Sequence, residues 1–204
     1  LGEDHETLGD AVDALLRDGR PGFCSLVPTQ LARLLEDAEE TAALARLRAV
    51  LLGGGPVDPA LRARAEAGGV RVVATYGASE TSGGCVYDGV PLDGVRVRLD
   101  DSEGGRGRIL LGGPTLADGY LDDVELTAET FVDGWYRTSD AGRWVDDGEG
   151  GRRLQVVGRL DDVVVSGGVN VPGPAVAQRL REHPGVREAE VVGVDDPEWG
   201  RRVV

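Results

Sequence analysis

The sequence predicts an α/β fold: a parallel sheet flanked by helices, a small β-rich subdomain, and then the start of a small α+β C-terminal domain. Three observations predict it. Between residues 7 and 75, apolar β-prone runs alternate with helical segments, the pattern of parallel strands joined by right-handed crossovers. After Gly84 the texture changes to short β-prone runs separated by Gly and Asp, which indicates antiparallel pairing. Beyond Arg159 a strand, a Gly pair, a helix and a further strand follow in order, so a domain boundary is placed there, with residues 1–158 before it and 159–204 after it.

Each element has a local reason. Residues 7–18 predict an amphipathic helix, with Thr7 as cap and Leu8, Val12, Leu15 and Leu16 on one face. Phe23 to Val27 predicts a buried strand, which Pro28 stops, and Thr29 can cap a helix through Leu35. Ala49 to Leu52 predicts a second strand, ending in Gly53-Gly54-Gly55-Pro56. Asp58-Pro59 opens a helix to about Ala67, and Val70 to Thr75 predicts a third strand. Later strands are predicted at Val95–Leu99, Arg108–Leu111, Trp135–Thr138, Gly142–Val145, Leu154–Val157, Val163–Val165 and Glu188–Val194. A hairpin loop is predicted at Asp146 to Gly151, and a helix at Ala175–Glu182.

A length of 204 residues suffices for one good core, or for one domain with part of another. The formal net charge of -14 and the lack of a basic patch exclude a nucleic-acid binder of the usual kind. No apolar run is long enough to span a bilayer, so no stable membrane insertion is expected. Cys24 and Cys85 are far apart and form no paired-cysteine motif, so a reducing cytoplasm is the expected compartment. His5 and His183 are isolated and read as surface histidines. The chain has no Met, and all 22 of its basic residues are Arg. These absences lead to the expectation that the sequence is part of a longer protein, and that a mechanism needing a catalytic Lys is not completed by this chain.

Several segments can carry chemistry. Tyr76-Gly77-Ala78-Ser79-Glu80-Thr81 follows the third strand, and ligands of open parallel sheets bind beyond the carboxyl ends of strands. Ser79 and Thr81 offer hydroxyls to phosphate or carboxylate oxygens, Glu80 offers an oxygen ligand to magnesium, and Tyr76 offers a face to a flat base. The same six residues also fit a polar turn. Gly53, Gly54 and Gly55 allow a ligand to approach the backbone, or make a flexible strand-to-helix turn. If the two strands are adjacent, both loops open on one crevice. Asp140 can accept from ribose hydroxyls, with Arg159 adding donors; equally, the first fits a turn and the second a surface ion pair. Gly167 and Gly168 admit a ligand close to backbone or form a bulge. Asp161-Asp162 fits a hinge better than a metal site.

Taken together and in this order, YGASET, GRILLGGPTLADGY, GWYRTSD, GRLDDVVVSGGVNV and VVGVDDPEWGRRVV resemble the adenylate-forming superfamily of acyl-CoA synthetases, adenylation domains and luciferases. Residues 79–95 and 25–35 resemble, within it, the actinobacterial branch that ligates 2-succinylbenzoate to coenzyme A in menaquinone biosynthesis. The resemblance implies an AMP-forming acid–thiol ligase that uses ATP, magnesium and coenzyme A on an aromatic keto-acid. Its partners would be these small molecules, with no nucleic acid, and a homodimer is an allowed assembly.

By the same resemblance, Gly53, Gly54 and Gly55 would line the adenine and acyl pocket, with Tyr76 and Gly77 at the nucleotide. Ser79, Thr81, Gly83 and Gly84 would border the acid. Thr81 and Glu80 would serve the chemistry, with Glu80 at magnesium. Asp140 and Arg159 would meet the ribose, Asp161 would be the hinge of the small mobile domain, and Gly167 and Gly168 would lie on the coenzyme A side. The resemblance also implies a phosphate loop upstream of Leu1 and a catalytic Lys downstream of Val204, so this chain alone is expected to be inactive. The alternatives are a synthetase for another aryl or fatty acid and a non-catalytic nucleotide-binding module.

Overall fold

The computed structural model describes residues 7–103, 105–160, 162–183, 185–186 and 189–204. The chain forms two compact units, Leu1–Asp93 and Gly94–Val204.

In the first unit, α1 (Leu8–Leu16) starts where the Thr7 hydroxyl accepts the Asp10 N–H at 3.1 Å. Strand β1 (Phe23–Leu26) leads into α2 (Pro28–Leu34). The cap of α2 lies at Val27 rather than Thr29. Pro28 occupies the first turn, where its missing N–H costs nothing, and the Val27 N–H donates to Gln30 Oε1 at 3.0 Å. Helix α3 (Ala38–Ala45) was not predicted. Its cap is Asp37, whose carboxylate accepts from the Glu39 and Glu40 N–H groups at 2.7 and 3.0 Å. Then come β2 (Ala49–Leu52), α4 (Pro59–Ala67) capped by Asp58, β3 (Val72–Ala78), a 3₁₀ turn (Ser79–Thr81), β4 (Gly83–Tyr87) and β5 (Val90–Pro91).

The five strands form one sheet in the order β1-β2-β3-β4-β5. The pairs β1–β2 and β2–β3 are parallel, and β3–β4 and β4–β5 are antiparallel. The predicted parallel α/β pattern is therefore observed. The expectation that β1 is buried is not: Phe23 is 51% exposed, because β1 is the outer strand and pairs only with β2. Between sheet and helices lies a core of Val12, Leu31, Leu44, Leu47, Val50, Leu52, Val70 and Val72. Each such side chain contributes roughly 1.5–3 kcal/mol by burial.

In the second unit, β6 (Arg96–Glu103) and β7 (Arg106–Gly112) pair antiparallel. Helix α5 (Val124–Thr130), short β8 (Phe131–Val132), β9 (Trp135–Asp146) and β10 (Arg152–Arg159) follow, giving the sheet order β10-β9-β7-β6 with β8 on β9. Ile109, Leu110, Leu111, Tyr136 and Leu154 are buried in this sheet. The predicted loop between β9 and β10 is present. Its Asp147 accepts the N–H groups of Glu149 and Gly151, and these bonds hold its carboxyl below the usual carboxylate range.

The remaining elements are smaller. Strands β11 (Val163–Ser166) and β12 (Val169–Pro172) form a hairpin whose turn is Gly167-Gly168, both at positive φ, so the Gly pair is a tight turn rather than a bulge. Helix α6 (Gly173–Arg181) starts before Ala175 because Pro174 fits its first turn. Strands β13 (Gly193–Asp196) and β14 (Gly200–Val203) pair antiparallel. Of the strand predicted at Glu188–Val194, Glu188 lies outside the described residues. Only Gly193 and Val194 are in strand, because β14 offers its register to Gly193–Asp196.

Candidate functional site

The first cluster of predicted residues sits at the carboxyl ends of the parallel strands. Strands β2 and β3 are adjacent, the condition for their following loops to share a crevice, and Gly53 at the end of β2 lies beside Thr75 of β3. The meeting point is Thr75. A Cβ placed on Gly53 would lie 2.5 Å from Thr75 Oγ1, and one on Gly84 would lie 3.1 Å from Thr75 Cβ. The Thr75 hydroxyl itself points to the Leu52 carbonyl at 3.4 Å. The Thr75 side chain thus packs between Gly53 and Gly84 and fills the space that a side chain at either would need.

The YGASET segment is not a loop throughout. Tyr76, Gly77 and Ala78 extend β3, and only Ser79–Thr81 form the turn. Strand β3 runs on because β4 returns beside it in the register Gly77↔Gly84 and Ala78↔Gly83. This close pairing explains Gly77: a Cβ there would meet the Gly83 carbonyl oxygen at 2.0 Å. Ser82 at φ 56 and Gly83 at φ 103 reverse the chain.

Thr81 holds this turn from inside. Its hydroxyl is buried, accepts the Ala78 N–H at 2.9 Å, and faces the Gly83 and Ala78 carbonyls at 2.8 and 3.1 Å, to one of which it donates. Ser79 is exposed and Glu80 half-buried on the same turn. Cys85 is buried next to it, and burial pushes its thiol up; Cys24 is raised for the same reason. Both cysteines are free thiols.

The second cluster lies in the antiparallel unit. Asp140 was predicted between two short strands, but Trp135–Thr138 and Gly142–Val145 are parts of the single strand β9. The interruption in the sequence reflects a bulge. Arg108 pairs with Ala141 and Leu110 with Arg137, so Thr138, Ser139 and Asp140 stand against Ile109 alone.

Four hydrogen bonds hold the bulge. The buried Thr138 hydroxyl donates to the Ile109 carbonyl at 2.8 Å and accepts the Asp140 N–H at 3.0 Å. Arg108 donates to the Thr138 carbonyl and the Leu160 N–H to the Ser139 carbonyl, both at 2.6 Å. The bulge therefore fixes the backbone that carries Asp140. Arg159 is its direct cross-strand partner in β10, reached after a second bulge between Val156 and Gly158. The expected proximity of Asp140 and Arg159 is thus built into the register.

Gly167 packs under Trp199: a Cβ there would lie 2.5 Å from the indole, and the Gly167 N–H donates to the Trp199 carbonyl at 3.0 Å. Asp161, the predicted hinge, lies outside the described residues. Among the described residues no group of three or more His, Cys, Asp or Glu is placed to hold a metal ion, and no helix is long and apolar enough to cross a membrane.

Sequence reasoning missed two devices. One is Thr138, hidden within a motif where only Asp140 drew notice. The other is the ion pair of Arg62 and Asp88, 2.8 Å from Nη1 to Oδ1, in which the Asp88 carboxylate raises the Arg62 pKa further. Asp88-Gly89, a dipeptide favoured in tight hairpin turns, was its sequence signal.

A parallel sheet with glycines at its strand ends, and an antiparallel unit in which Asp140 on a bulge faces Arg159, make this an α/β protein that carries both predicted clusters. Residues 3–121 match the family model described as AMP-binding enzyme, and the chain belongs to that family. It is 48% identical over 183 residues to a probable 2-succinylbenzoate–CoA ligase of Mycobacterium tuberculosis, covering 89% of this chain and 46% of the relative. It is 33% identical to the 2-succinylbenzoate–CoA ligase of Bacillus licheniformis, covering 94% of this chain and 43% of that one.

Among solved structures, the o-succinylbenzoate CoA synthetase of Bacillus subtilis in complex with its acyl-adenylate intermediate superimposes with a TM-score of 0.79. The sequence identity is 28%, over 97% of this chain and 43% of that one. An amide bond synthetase from Marinactinospora thermotolerans superimposes with a TM-score of 0.80 at 30% identity, over 100% of this chain and 45% of that one. The chain thus spans about half the length of the relatives it matches.

Proposed function

We propose that the protein containing this chain is an AMP-forming acid–CoA ligase that activates 2-succinylbenzoate with ATP and then passes the acyl group to coenzyme A, in the cytoplasm, for menaquinone biosynthesis. The observation that carries the nucleotide part is the exposed glycine backbone of Gly54 and Gly55 after β2 and of Gly83 and Gly84 beside the end of β3, at the carboxyl ends of adjacent parallel strands where ligands of such sheets bind. The choice of acid rests on the relatives' names and on residues 79–95.

In this reading Gly53, Gly54 and Gly55 line the adenine and acyl pocket, and Tyr76 and Gly77 border the nucleotide. Ser79, Gly83 and Gly84 border the acid. Thr81 keeps the turn closed, so its contribution to chemistry is to place its neighbours. Asp140 accepts from the ribose hydroxyls and Arg159 adds donors beside it. Gly167 and Gly168 serve the coenzyme A side, and Asp161 is the hinge between residues 1–158 of the large AMP-binding domain and a small domain starting at 159.

Magnesium fits Glu80, since this ion is commonly held by one or two carboxylates together with substrate phosphates, and a cage of protein ligands is not needed. When bound, it supplies neutralisation of phosphate charge. The substrate carboxylate forms a bond to the α-phosphorus, the bond from that phosphorus to the bridging oxygen breaks, and pyrophosphate leaves. The coenzyme A thiol then loses its proton to solvent and bonds to the acyl carbon, the bond from that carbon to the phosphate oxygen breaks, and AMP leaves with the electron pair. The protein's own part is positioning and charge complementarity, with no covalent nucleophile.

The test is ATP–pyrophosphate exchange by the intact protein with 2-succinylbenzoate, benzoate and octanoate, followed by trapping with coenzyme A or with an amine. Exchange strongest with 2-succinylbenzoate and thioester as product is the expected result. Exchange only with octanoate or benzoate would reassign the acid. Amide as the main product would move the reading toward the chemistry named for the Marinactinospora neighbour, and no exchange with any acid would end it.

A further inference from the structure

Toward the start of β3, the regular pairing with β4 runs out, and side chains complete what one last backbone bond from Asp88 does not. Strand β4 covers the edge of β3 only from Thr75 to Ala78, because the chain turns away at Asp88-Gly89 into β5. The Val72 carbonyl and both backbone groups of Ala74 lie on the uncovered stretch. They are satisfied by two residues far apart in sequence. The Asp88 N–H donates to the Ala74 carbonyl at 2.8 Å, and the Ala74 N–H donates to Asp88 Oδ1 at 3.0 Å. Arg62, from α4, donates through Nη2 to the Val72 carbonyl at 3.2 Å. It also forks onto Asp88 at 2.8 Å (Oδ1) and 3.4 Å (Oδ2), while its Nε reaches Glu66 at 3.0 Å.

Asp88 can do this because it occupies the left-handed region at φ 46, where Asp and Asn are the tolerated non-glycine residues and where the side chain turns back on the strand. Arg62 can do it because one planar guanidinium offers separate donors to a carboxylate, a carbonyl and a second carboxylate, a geometry that an ammonium cannot reproduce. The clamp is half-buried, with the Arg62 and Asp88 side chains 35% and 29% exposed. It acts on Ala74, two residues before Tyr76, at the root of the segment that ends in the Ser79–Thr81 turn.

We propose that Arg62 and Asp88 are positioning residues for the adenylation half-reaction: their ion pair locks the entry of β3 so that the Tyr76–Gly84 hairpin is held in register for substrate. This inference rests on the adenylation reading above, and it assigns a role to residues that touch no substrate. Misplacement of a reacting group by about 1 Å can cost as much as about a hundredfold in rate. A loosened hairpin should therefore slow adenylate formation while leaving the attack of coenzyme A on a ready-made adenylate largely intact.

The experiment uses the intact protein with Arg62→Met, Arg62→Lys and Asp88→Asn. Asn tolerates the same backbone region and keeps the acceptor for the Ala74 N–H, so this variant removes the ion pair and spares the edge contact. ATP–pyrophosphate exchange, thiolysis of synthetic 2-succinylbenzoyl-adenylate and thermal midpoints are measured side by side. The expected result is a fall in exchange of about tenfold or more in all three, including Lys, with thiolysis changed much less. Exchange at the wild-type rate in all three, or equal losses in both half-reactions tracking the loss of folded protein, would overturn the inference alone. Wild-type protein silent in exchange would overturn the adenylation reading, and this inference with it.

Discussion

Gly77 and Gly53 both approach neighbouring atoms too closely for a side chain, but the obstacles differ in kind. At Gly77 the obstacle is a backbone oxygen, 2.0 Å from where a Cβ would sit, and it belongs to the strand that must pair there. At Gly53 it is the hydroxyl of Thr75, which can rotate. Gly77→Ala should therefore cost at least about 3 kcal/mol, a loss reserved for specific mechanisms such as this clash. Gly53→Ala should cost about 1 kcal/mol, in the range for mild overpacking. Urea denaturation of the two variants checks the order, and equal losses would show that the β3–β4 register is softer than described. Asp140 offers a functional counterpart. Hydrogen bonds to a charged group contribute about 1.5–3 kcal/mol, so Asp140→Ala in the intact protein should raise the KM for ATP roughly tenfold or more with little change in thermal midpoint. Unchanged ATP kinetics would remove the ribose role.

At the scale of elements, the bulge in β9 shows why the sequence was read as two strands. Thr138, Ser139 and Asp140 cannot all face one residue of β7 in regular pairing, so the alternation of the strand breaks there without ending it. The buried hydroxyl of Thr138 takes up the Asp140 N–H that the ladder leaves over. Thr138→Val keeps the shape and loses both hydrogen bonds. It should cost about 1–3 kcal/mol through the orphaned Asp140 N–H and Ile109 carbonyl. It should also weaken ATP use, while Thr138→Ser retains most of both; calorimetry with ATP titration reads the two effects together. The helical elements were more legible. Thr7 and Asp58 cap where predicted, since a cap needs only local geometry. Helix α3 is less legible because its run Ala38–Ala45 has Leu44 as its one large apolar residue and so shows little helical periodicity, although Asp37 before it is a clear cap.

At the scale of the molecule, the chain carries 36 acidic against 22 basic residues. Such an excess repels itself in the folded state, and salt screens it over about 8 Å at physiological ionic strength. Raising sodium chloride from about 10 mM to about 150 mM should therefore raise the unfolding midpoint of the 204-residue chain, as read by circular dichroism. A falling midpoint would mean that pairs such as Arg62–Asp88 outweigh the general repulsion.

The sequence by itself determined the α/β class, the parallel order implied by alternating strands and helices, the caps at Thr7 and Asp58, the turn after β9, and the family, because periodicity, capping and motif order are properties of neighbouring residues. The tertiary structure alone decided that Gly53 and Gly84 meet at Thr75, that Asp140 sits on a bulge opposite Arg159, and that Arg62 and Asp88 close the edge of β3. Each of these joins backbone or side-chain groups that come together only when strands pair, and no local pattern along the chain records which strand lies beside which, or in what register.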